Sequence, residues 1–175
     1  MKRWMLPLVA PLALLVTVAT AAKETRVTDS SRALSVAVPT GWKSDKSGLL
    51  GSKLILFGPE HEGFRVNINL MTEKVGSMSL SDYARVSEEN AGKIITGYEL
   101  LSKGSTKMDG VDARFMVYRG SIGTPPRQLE FKGVFSIRGK IAYILTYTAP
   151  KDVFDQHQKA FDTVVKSVKW QQHKH

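Results

Sequence analysis

The residues that could carry catalysis are few and lie far apart in the sequence. The chain has no cysteine and four histidines, His61, His157, His173 and His175. The lack of cysteine excludes a thiol nucleophile, and no G-x-S-x-G segment places a serine on a nucleophile elbow. His157 falls among apolar residues at helical spacing, where a partly buried core histidine is the simpler interpretation. We therefore expect no catalytic residue and no cofactor.

Two histidine-containing segments could bind a cation. His61 stands between Glu60 and Glu62, but the segment is typical of a solvated turn at a hairpin tip. His173 and His175 alternate near the C-terminus, and imidazole is a good ligand for zinc, copper or nickel. A stable site needs three or four fixed ligands, which neither segment supplies. We expect no metal centre, and whether the C-terminal pair binds metal is left open.

Polar side chains on predicted strands are the better candidates for a binding surface. Arg65, Asn67 and Asn69 alternate with apolar residues, so they share one face of their strand. Lys132 has the even phase of a later strand, and Arg114 is expected on the same face. The planar guanidinium of arginine suits carboxylate and phosphate groups. We predict that a partner binds Arg65, Asn67, Asn69, Arg114 and Lys132 in a shallow groove; an ordinary solvated sheet face is the alternative.

Seven segments with period-two patterning or short apolar runs are predicted to position these residues as strands. They are residues 33–39, 53–57, 64–72, 98–107, 111–122, 127–138 and 140–149. The Asp109-Gly110 pair is a strong signal for a two-residue hairpin turn, and a second hairpin turns about Gly139. Within that second hairpin we expect the odd-numbered residues of both strands to share one buried face. Consecutive hairpins indicate an antiparallel sheet.

Two amphipathic helices are predicted beside the sheet. The first spans residues 80–95, with Ser79 as N-cap and Gly97 as a left-handed C-cap. The second begins at Pro150 or just after it and is closed by Trp170. The fold class is therefore α+β, with both helices packed on the sheet. The expected core residues are Trp42, Phe131, Phe135, Tyr143, Leu145, Phe154 and Phe161.

The first 22 residues have the layout of a secretory signal peptide. Lys2 and Arg3 precede an apolar run over residues 5–18, and the small residues Ala19-Thr20-Ala21 follow. The run is also shorter than the roughly 20 residues of a membrane-spanning helix. We expect an exported protein, periplasmic or extracellular, with a flexible lead-in at 23–32, one domain at 33–170 and a polar tail at 171–175.

The charge of the chain bears on its partners. The formal net charge is +9, and removing the two charges of Lys2 and Arg3 leaves +7. A basic surface favours anionic partners such as lipid headgroups. Export argues against nucleic acid as the partner. A soluble protein with dispersed positive charge is the simpler interpretation.

Two motifs and the element order carry a resemblance to a known family. The motifs are P-x-G-W at residues 39–42 and Y-x-L-T-Y-x-A-P at residues 143–150. With the helix that starts at Ser79 and the closing helix that ends at Trp170, the chain resembles the PsbP-like family, including the bacterial DcrB- and LpqN-type proteins. The resemblance implies an α/β/α sandwich around an antiparallel sheet of about seven strands with two main helices. It also implies a binding or assembly module rather than an enzyme, and leaves the ligand open.

Three functional hypotheses follow. The first is an exported, non-catalytic binding or assembly-support protein of the cell envelope that contacts a protein partner. The alternative is a binder of an anionic membrane surface or lipid through a basic face. A hydrolase is the third, and the scarcity of nucleophile and base disfavours it. The sequence leaves the oligomeric state open.

Overall fold

A seven-stranded antiparallel sheet lies between two helices, and a three-stranded sheet packs beside it. A computed structural model of the chain describes residues 25–171. Its elements are β1 (Arg26–Thr28), β2 (Leu34–Ala37), β3 (Lys43–Asp45), β4 (Leu54–His61), β5 (Phe64–Lys74), α1 (Leu80–Ile94), β6 (Thr96–Met108), β7 (Val111–Ile122), β8 (Arg127–Arg138), β9 (Ile141–Pro150), α2 (Phe154–Ser167) and β10 (Lys169–Trp170). The strand order is β3-β4-β5-β9-β8-β7-β6 in the large sheet and β1-β2-β10 in the small one.

The predicted α+β fold and the seven strands of the main sheet are confirmed, but the set of strands differs in one place. The predicted strand at 33–39 is β2, which pairs with β1 and β10 in the small sheet instead. Its place in the main sheet is taken by the three-residue β3, which pairs with β4. Patterning cannot show this exchange, because β2 is buried along its whole length and alternation does not reveal its partners.

Residues 26–32, which we predicted to belong to a flexible lead-in, form β1 and a tight turn instead. Asp29 is 2 % exposed. Its carboxylate accepts hydrogen bonds from the backbone N–H groups of Ala33 and Leu34, both at 2.8 Å, and from that of Ser31. A buried carboxylate that receives several N–H donors fixes the local backbone, so the turn from β1 to β2 is held in place. The predicted signal peptide at 1–22 and residues 172–175 of the polar tail lie outside the described residues.

Pairing between β8 and β9 places apolar side chains on both faces of the large sheet. Val134 lies opposite Leu145, so even-numbered residues of β8 share a face with odd-numbered residues of β9. Our prediction that the odd residues of both strands share one face is therefore wrong. The two-residue turn pairs Arg138 with Ile141, and residues three apart always join an even position to an odd one.

One face of the large sheet is covered by α2, and we call it the α2 face. The Phe161 side chain is fully buried and stacks on Tyr147, with ring centroids 5.8 Å apart. The Tyr147 hydroxyl donates a 2.6 Å hydrogen bond to the carbonyl of Phe154. The helix begins at Phe154 rather than near Pro150, because Pro150 is the last residue of β9. His157 is half-buried and meets the Trp42 ring edge-on, at 6.5 Å between centroids.

The other face, the α1 face, is covered by α1. Ser79 caps the helix as predicted, since its hydroxyl accepts a 3.1 Å hydrogen bond from the Asp82 backbone N–H. Tyr83 packs edge-on against Phe135 of β8 at 5.5 Å. Gly97 is not the C-cap: Ile95 ends the helix in an extended conformation, and Gly97 lies inside β6.

The expected core is largely confirmed. Six of its seven residues are buried, and they are divided between the two faces of the sheet. Trp42 is half-buried and covers Gly58, where a Cβ atom would lie 2.7 Å from the indole ring. No helix among residues 25–171 is long and apolar enough to cross a membrane.

Candidate functional site

The five predicted partner-binding residues do not form one surface. Asn69 lies opposite Thr146, which lies opposite Gly133, and this row belongs to the α1 face. Arg65 and Asn67 of β5 lie on the same face, and so does Arg114 of β7. Lys132, however, lies opposite Tyr147 on the α2 face. The predicted single polar face is therefore wrong, because the phase error in the β8–β9 hairpin assigned Lys132 to the wrong side.

Arg65, Asn67 and Asn69 lie on a part of the α1 face that is far from Arg114. Strands β9 and β8 separate β5 from β7, and α1 packs on Phe135 of β8 between them. Arg65 makes a 2.8 Å ion pair with Glu60. Asn67 donates to the carbonyl of Arg65 at 3.0 Å. Asn67 and Asn69 are half-buried, whereas Arg65 is exposed and its guanidinium is already partnered.

Lys132 contributes to the packing of α2 on the sheet. Its ammonium lies 2.7 Å from an oxygen of Asp162, and its side chain is only 16 % exposed. The same ammonium lies 5.8 Å from the centroid of the Phe161 ring. A partly buried ion pair beside an aromatic ring fixes the position of the lysine. Only a small part of its side chain remains exposed.

Two grooves border the edge strand β6, one on each face of the sheet. The groove beside α2 has a volume of about 240 Å³ and is lined by Ser105, Thr106, Lys107, Phe115, Lys132, Val134, Asp162, Val165 and Lys166. The groove beside α1 has a volume of about 360 Å³ and is lined by Ser81, Ala84, Arg85, Glu88, Lys103, Gly104, Arg114 and Phe115. Arg114 and Lys132 therefore lie on opposite sides of the same sheet edge.

Cationic side chains outnumber carboxylates in the lining of both grooves, and four of the six cations make ion pairs, Arg85 with Glu89 and Lys107 with Asp112 among them. Each is lined by three cationic side chains and one carboxylate. Lys132 and Lys103 make 2.7 and 2.8 Å ion pairs with those carboxylates, Asp162 and Glu88. Arg114 and Lys166 make no ion pair with a carboxylate of residues 25–171. Arg114 instead donates a 2.7 Å hydrogen bond to the hydroxyl of Ser105.

Strand β6 lies at the end of the sheet order, and no strand within residues 25–171 pairs with its outer side. Irregular pairing interrupts its first part, and regular pairing with β7 runs from Ser102 to Met108. A two-residue turn makes Met108 and Val111 a hydrogen-bonded pair, and such pairs alternate along the ladder. The backbone N–H and C=O groups of Lys103, Ser105 and Lys107 therefore point away from β7.

Gly104 gives this edge a close contact with its neighbour. It lies opposite Phe115, and a Cβ atom on Gly104 would lie 2.7 Å from the Phe115 ring. The ring therefore covers the glycine and contributes to both grooves. An aromatic ring over an edge glycine stabilises the strand without adding a side chain to it.

The histidine chemistry is limited. His61 is the last residue of β4, and its Nε2 lies 2.7 Å from Asp152, next to α2. The hydrogen bond from His61 holds the pKa of Asp152 below its ordinary value. Within residues 25–171, no three His, Asp or Glu side chains are arranged to hold a metal ion. His173 and His175 lie outside the described residues.

The sequence analysis named Arg114 and Lys132 but did not identify the edge strand β6, which separates the two grooves that these residues line. Lys103 and Lys107 occupy the same phase of a predicted strand, as solvated residues of edge strands often do. The order of the strands in the sheet, which makes β6 an edge, depends on long-range pairing. No local signal in the sequence specifies it.

The fold defined by these elements is the PsbP-like fold, an α+β sandwich of one antiparallel sheet and two helices. Cyanobacterial PsbP (CyanoP) from Synechocystis sp. PCC 6803 has this fold, with a TM-score of 0.59, 18 % identity, and coverage of 93 % of this chain and 100 % of that one. LpqN, involved in cell envelope biogenesis of Mycobacterium tuberculosis, has a TM-score of 0.62 and 13 % identity, with 85 % of each chain covered.

A third similar structure is that of the protein PA94, of unknown function, from Pseudomonas aeruginosa. Its TM-score is 0.61 at 18 % identity, over 79 % of this chain and 92 % of that one. No protein-family model matches the sequence, and no curated protein is significantly similar to it. At these identities the likeness is one of fold, and the site has to be argued from the residues of this chain.

Proposed function

We propose that this protein is an exported, non-catalytic binding or assembly-support protein of the cell envelope that accepts an extended segment of a protein partner along β6. The observation that carries the proposal is the pair of cation-lined grooves on either side of the outward-facing backbone of Lys103, Ser105 and Lys107. An added strand would gain main-chain hydrogen bonds from this edge.

The grooves favour an acidic segment. Successive side chains of a strand point to opposite faces, so an added strand would direct alternate side chains into the α1-side and α2-side grooves. Arg114 lies on one side and Lys166 on the other, and neither makes an ion pair with a carboxylate of residues 25–171. Complementary charge accelerates encounter and fixes the register of the bound segment.

A role in the envelope is supported by two observations of different kinds. The N-terminal 22 residues have the pattern of a signal peptide. LpqN, which shares the fold, is described as involved in cell envelope biogenesis. A binding role agrees with the described residues, where His61 and Asp152 form an isolated pair rather than part of a nucleophile–base constellation.

In-cell photo-crosslinking tests this proposal. A benzoylphenylalanine at position 105 of the full chain, in the cell that exports it, is expected to give a discrete adduct with one partner. The same residue at position 159, on the exposed side of α2, should give none. Adducts at position 69 instead would assign the partner to Arg65, Asn67 and Asn69 on β5, and would contradict the β6 site.

Charge reversal supplies the second arm. The double variant Arg114→Glu/Lys166→Glu should lower the adduct yield at position 105 by roughly tenfold, since each groove loses its unpaired cation. The matched control Lys151→Glu/Lys159→Glu changes the net charge by the same amount at exposed positions outside both grooves. Equal loss in both variants would contradict a groove-specific partner.

A further inference from the structure

Two leucines at the tip of the β3–β4 loop are exposed to solvent. Leu50 is 86 % exposed and Leu49 is 48 % exposed. They belong to a 3₁₀ turn, Leu49–Gly51, between Gly48 and Ser52. Leu50 has φ 53°, in the left-handed region, where the Cβ atom crowds the following carbonyl oxygen. An exposed apolar residue held in a strained conformation invites a functional explanation.

Internal hydrogen bonds hold the loop in a defined conformation. The Gly51 N–H donates to the carbonyl of Gly48 at 2.9 Å. The carbonyl of Leu49 accepts both the N–H and the hydroxyl of Ser52, at 3.0 and 2.6 Å. Two carbonyls and two N–H groups of the turn are therefore satisfied internally. Such a loop can leave water at lower cost than one with unpaired backbone groups.

The base of the loop is fixed to the sheet. The Lys53 N–H donates to the carbonyl of Leu70 at 2.7 Å, and the Lys53 carbonyl accepts from Ser30 at 2.9 Å. On the other side, Asp45 accepts hydrogen bonds from the N–H and hydroxyl of Ser47. The leucines are thus presented at one end of the molecule on a fixed support.

Lysines outnumber carboxylates in the segment that carries the leucines, since residues 43–53 contain three lysines and one carboxylate, Asp45. Lys43, Lys46 and Lys53 flank the loop, and none of them makes an ion pair with a carboxylate of residues 25–171. Beyond Leu70, the strand β5 runs on to Lys74, and the following residue bonds to the carbonyl of Lys140 in the β8–β9 turn at 2.9 Å. Exposed apolar side chains in a segment flanked by lysines match the boundary between acyl chains and anionic headgroups.

We propose that the loop of residues 46–53 binds the surface of an anionic lipid bilayer, with Leu49 and Leu50 entering the headgroup boundary and the lysines contacting lipid phosphates. This inference does not depend on the β6 site, which involves other strands. It uses apolar contact and charge together, so binding should fall with salt without vanishing.

Vesicle co-sedimentation of the mature protein tests the inference. Binding is expected with vesicles of phosphatidylglycerol and phosphatidylcholine at low salt, and not with phosphatidylcholine alone. Leu50→Gly should lower the apparent affinity about tenfold, because the apolar side chain is lost. The melting temperature should stay the same or rise, because glycine adopts the positive φ without strain.

Ile94→Ser is the matched control, since Ile94 is 75 % exposed on α1 and outside the loop; its vesicle binding should equal that of the wild type. The proposal is overturned if the wild-type protein does not bind anionic vesicles at low salt, or if Leu50→Gly binds as well as the wild type. It is also overturned if sedimentation shows that Leu50 supports self-association of the protein without vesicles.

Discussion

Asp109 has two structural roles, and only one of them is predictable from its neighbours in the sequence. The Asp109-Gly110 pair forms the predicted tight turn, with φ 45° and 82° at its two residues. The carboxylate of Asp109 also accepts hydrogen bonds from the Lys169 ammonium at 2.7 Å and the Trp170 N–H at 3.0 Å. It thereby joins the small sheet to the large one. The turn was predictable from two neighbouring residues, whereas its partners lie about sixty positions further along the chain.

We predict that Asp109→Asn lowers the melting temperature at neutral pH and that this difference closes in acid. Asparagine can keep the turn but loses the charge that pairs with Lys169. The hydrogen bond from Lys169, followed by that from the Trp170 backbone, holds the pKa of Asp109 below its ordinary value of 3.8. The stability it contributes is therefore present above that value and lost as pH falls through the lower, folded-state pKa. Thermal unfolding of wild type and variant between pH 7 and pH 3 measures this.

Asp112→Asn is the control for that experiment. Asp112 pairs with Lys107 at 2.7 Å across the β6–β7 hairpin, and its side chain is 82 % exposed. An exposed pair of this kind contributes little to stability, so its removal should change the melting temperature much less at every pH. An equal effect of both substitutions would mean that the connection between the sheets is not important.

At the scale of elements, the helices and hairpins were predictable and the way they combine was not. The Ser79 cap and the alternation of β5 are local patterns, and both are confirmed. The face to which each strand directs its residues depends on turn length, and the hairpin at residues 139–140 reverses the parity between β8 and β9. When both faces of a sheet are buried, apolar residues occupy both phases, so alternation loses its power to assign a face.

Two glycines in strands of the large sheet test how the residues that follow α1 pack on that sheet. A Cβ atom at Gly120 of β7 would lie 2.3 Å from the Ile95 side chain and 2.8 Å from the Thr96 carbonyl oxygen. At Gly133 of β8 the nearest contact would be Met116 at 4.0 Å. We predict that Gly120→Ala lowers the free energy of unfolding by about 1–3 kcal/mol through overpacking, and that Gly133→Ala leaves it nearly unchanged. Urea unfolding of both variants measures the difference; similar values for the two would contradict the packing of Ile95 on β7.

At the scale of the whole molecule, the fold was predictable because length, hairpin signals and two motifs agree on it. The candidate site was not, because it depends on which strand lies at the edge of the sheet. Arg114 and Lys132 were named for the right chemical reason, their capacity to bind anions, but on a geometry that the register corrects. The structure separates them by the thickness of the sheet and places them on either side of β6.

Residue-resolved amide hydrogen exchange of the protein tests the central claim, strand addition along β6, most directly. Exchange is measured on the protein alone and with an added peptide. The peptide has the sequence of the partner segment that the crosslink at position 105 identifies. Strand addition predicts slower exchange at Lys103, Ser105 and Lys107, by tenfold or more, because their outward N–H groups acquire hydrogen bonds. The amides of Gly104 and Thr106, which already face β7, should change little. Unchanged exchange along β6, with protection appearing on β5 instead, would contradict the account.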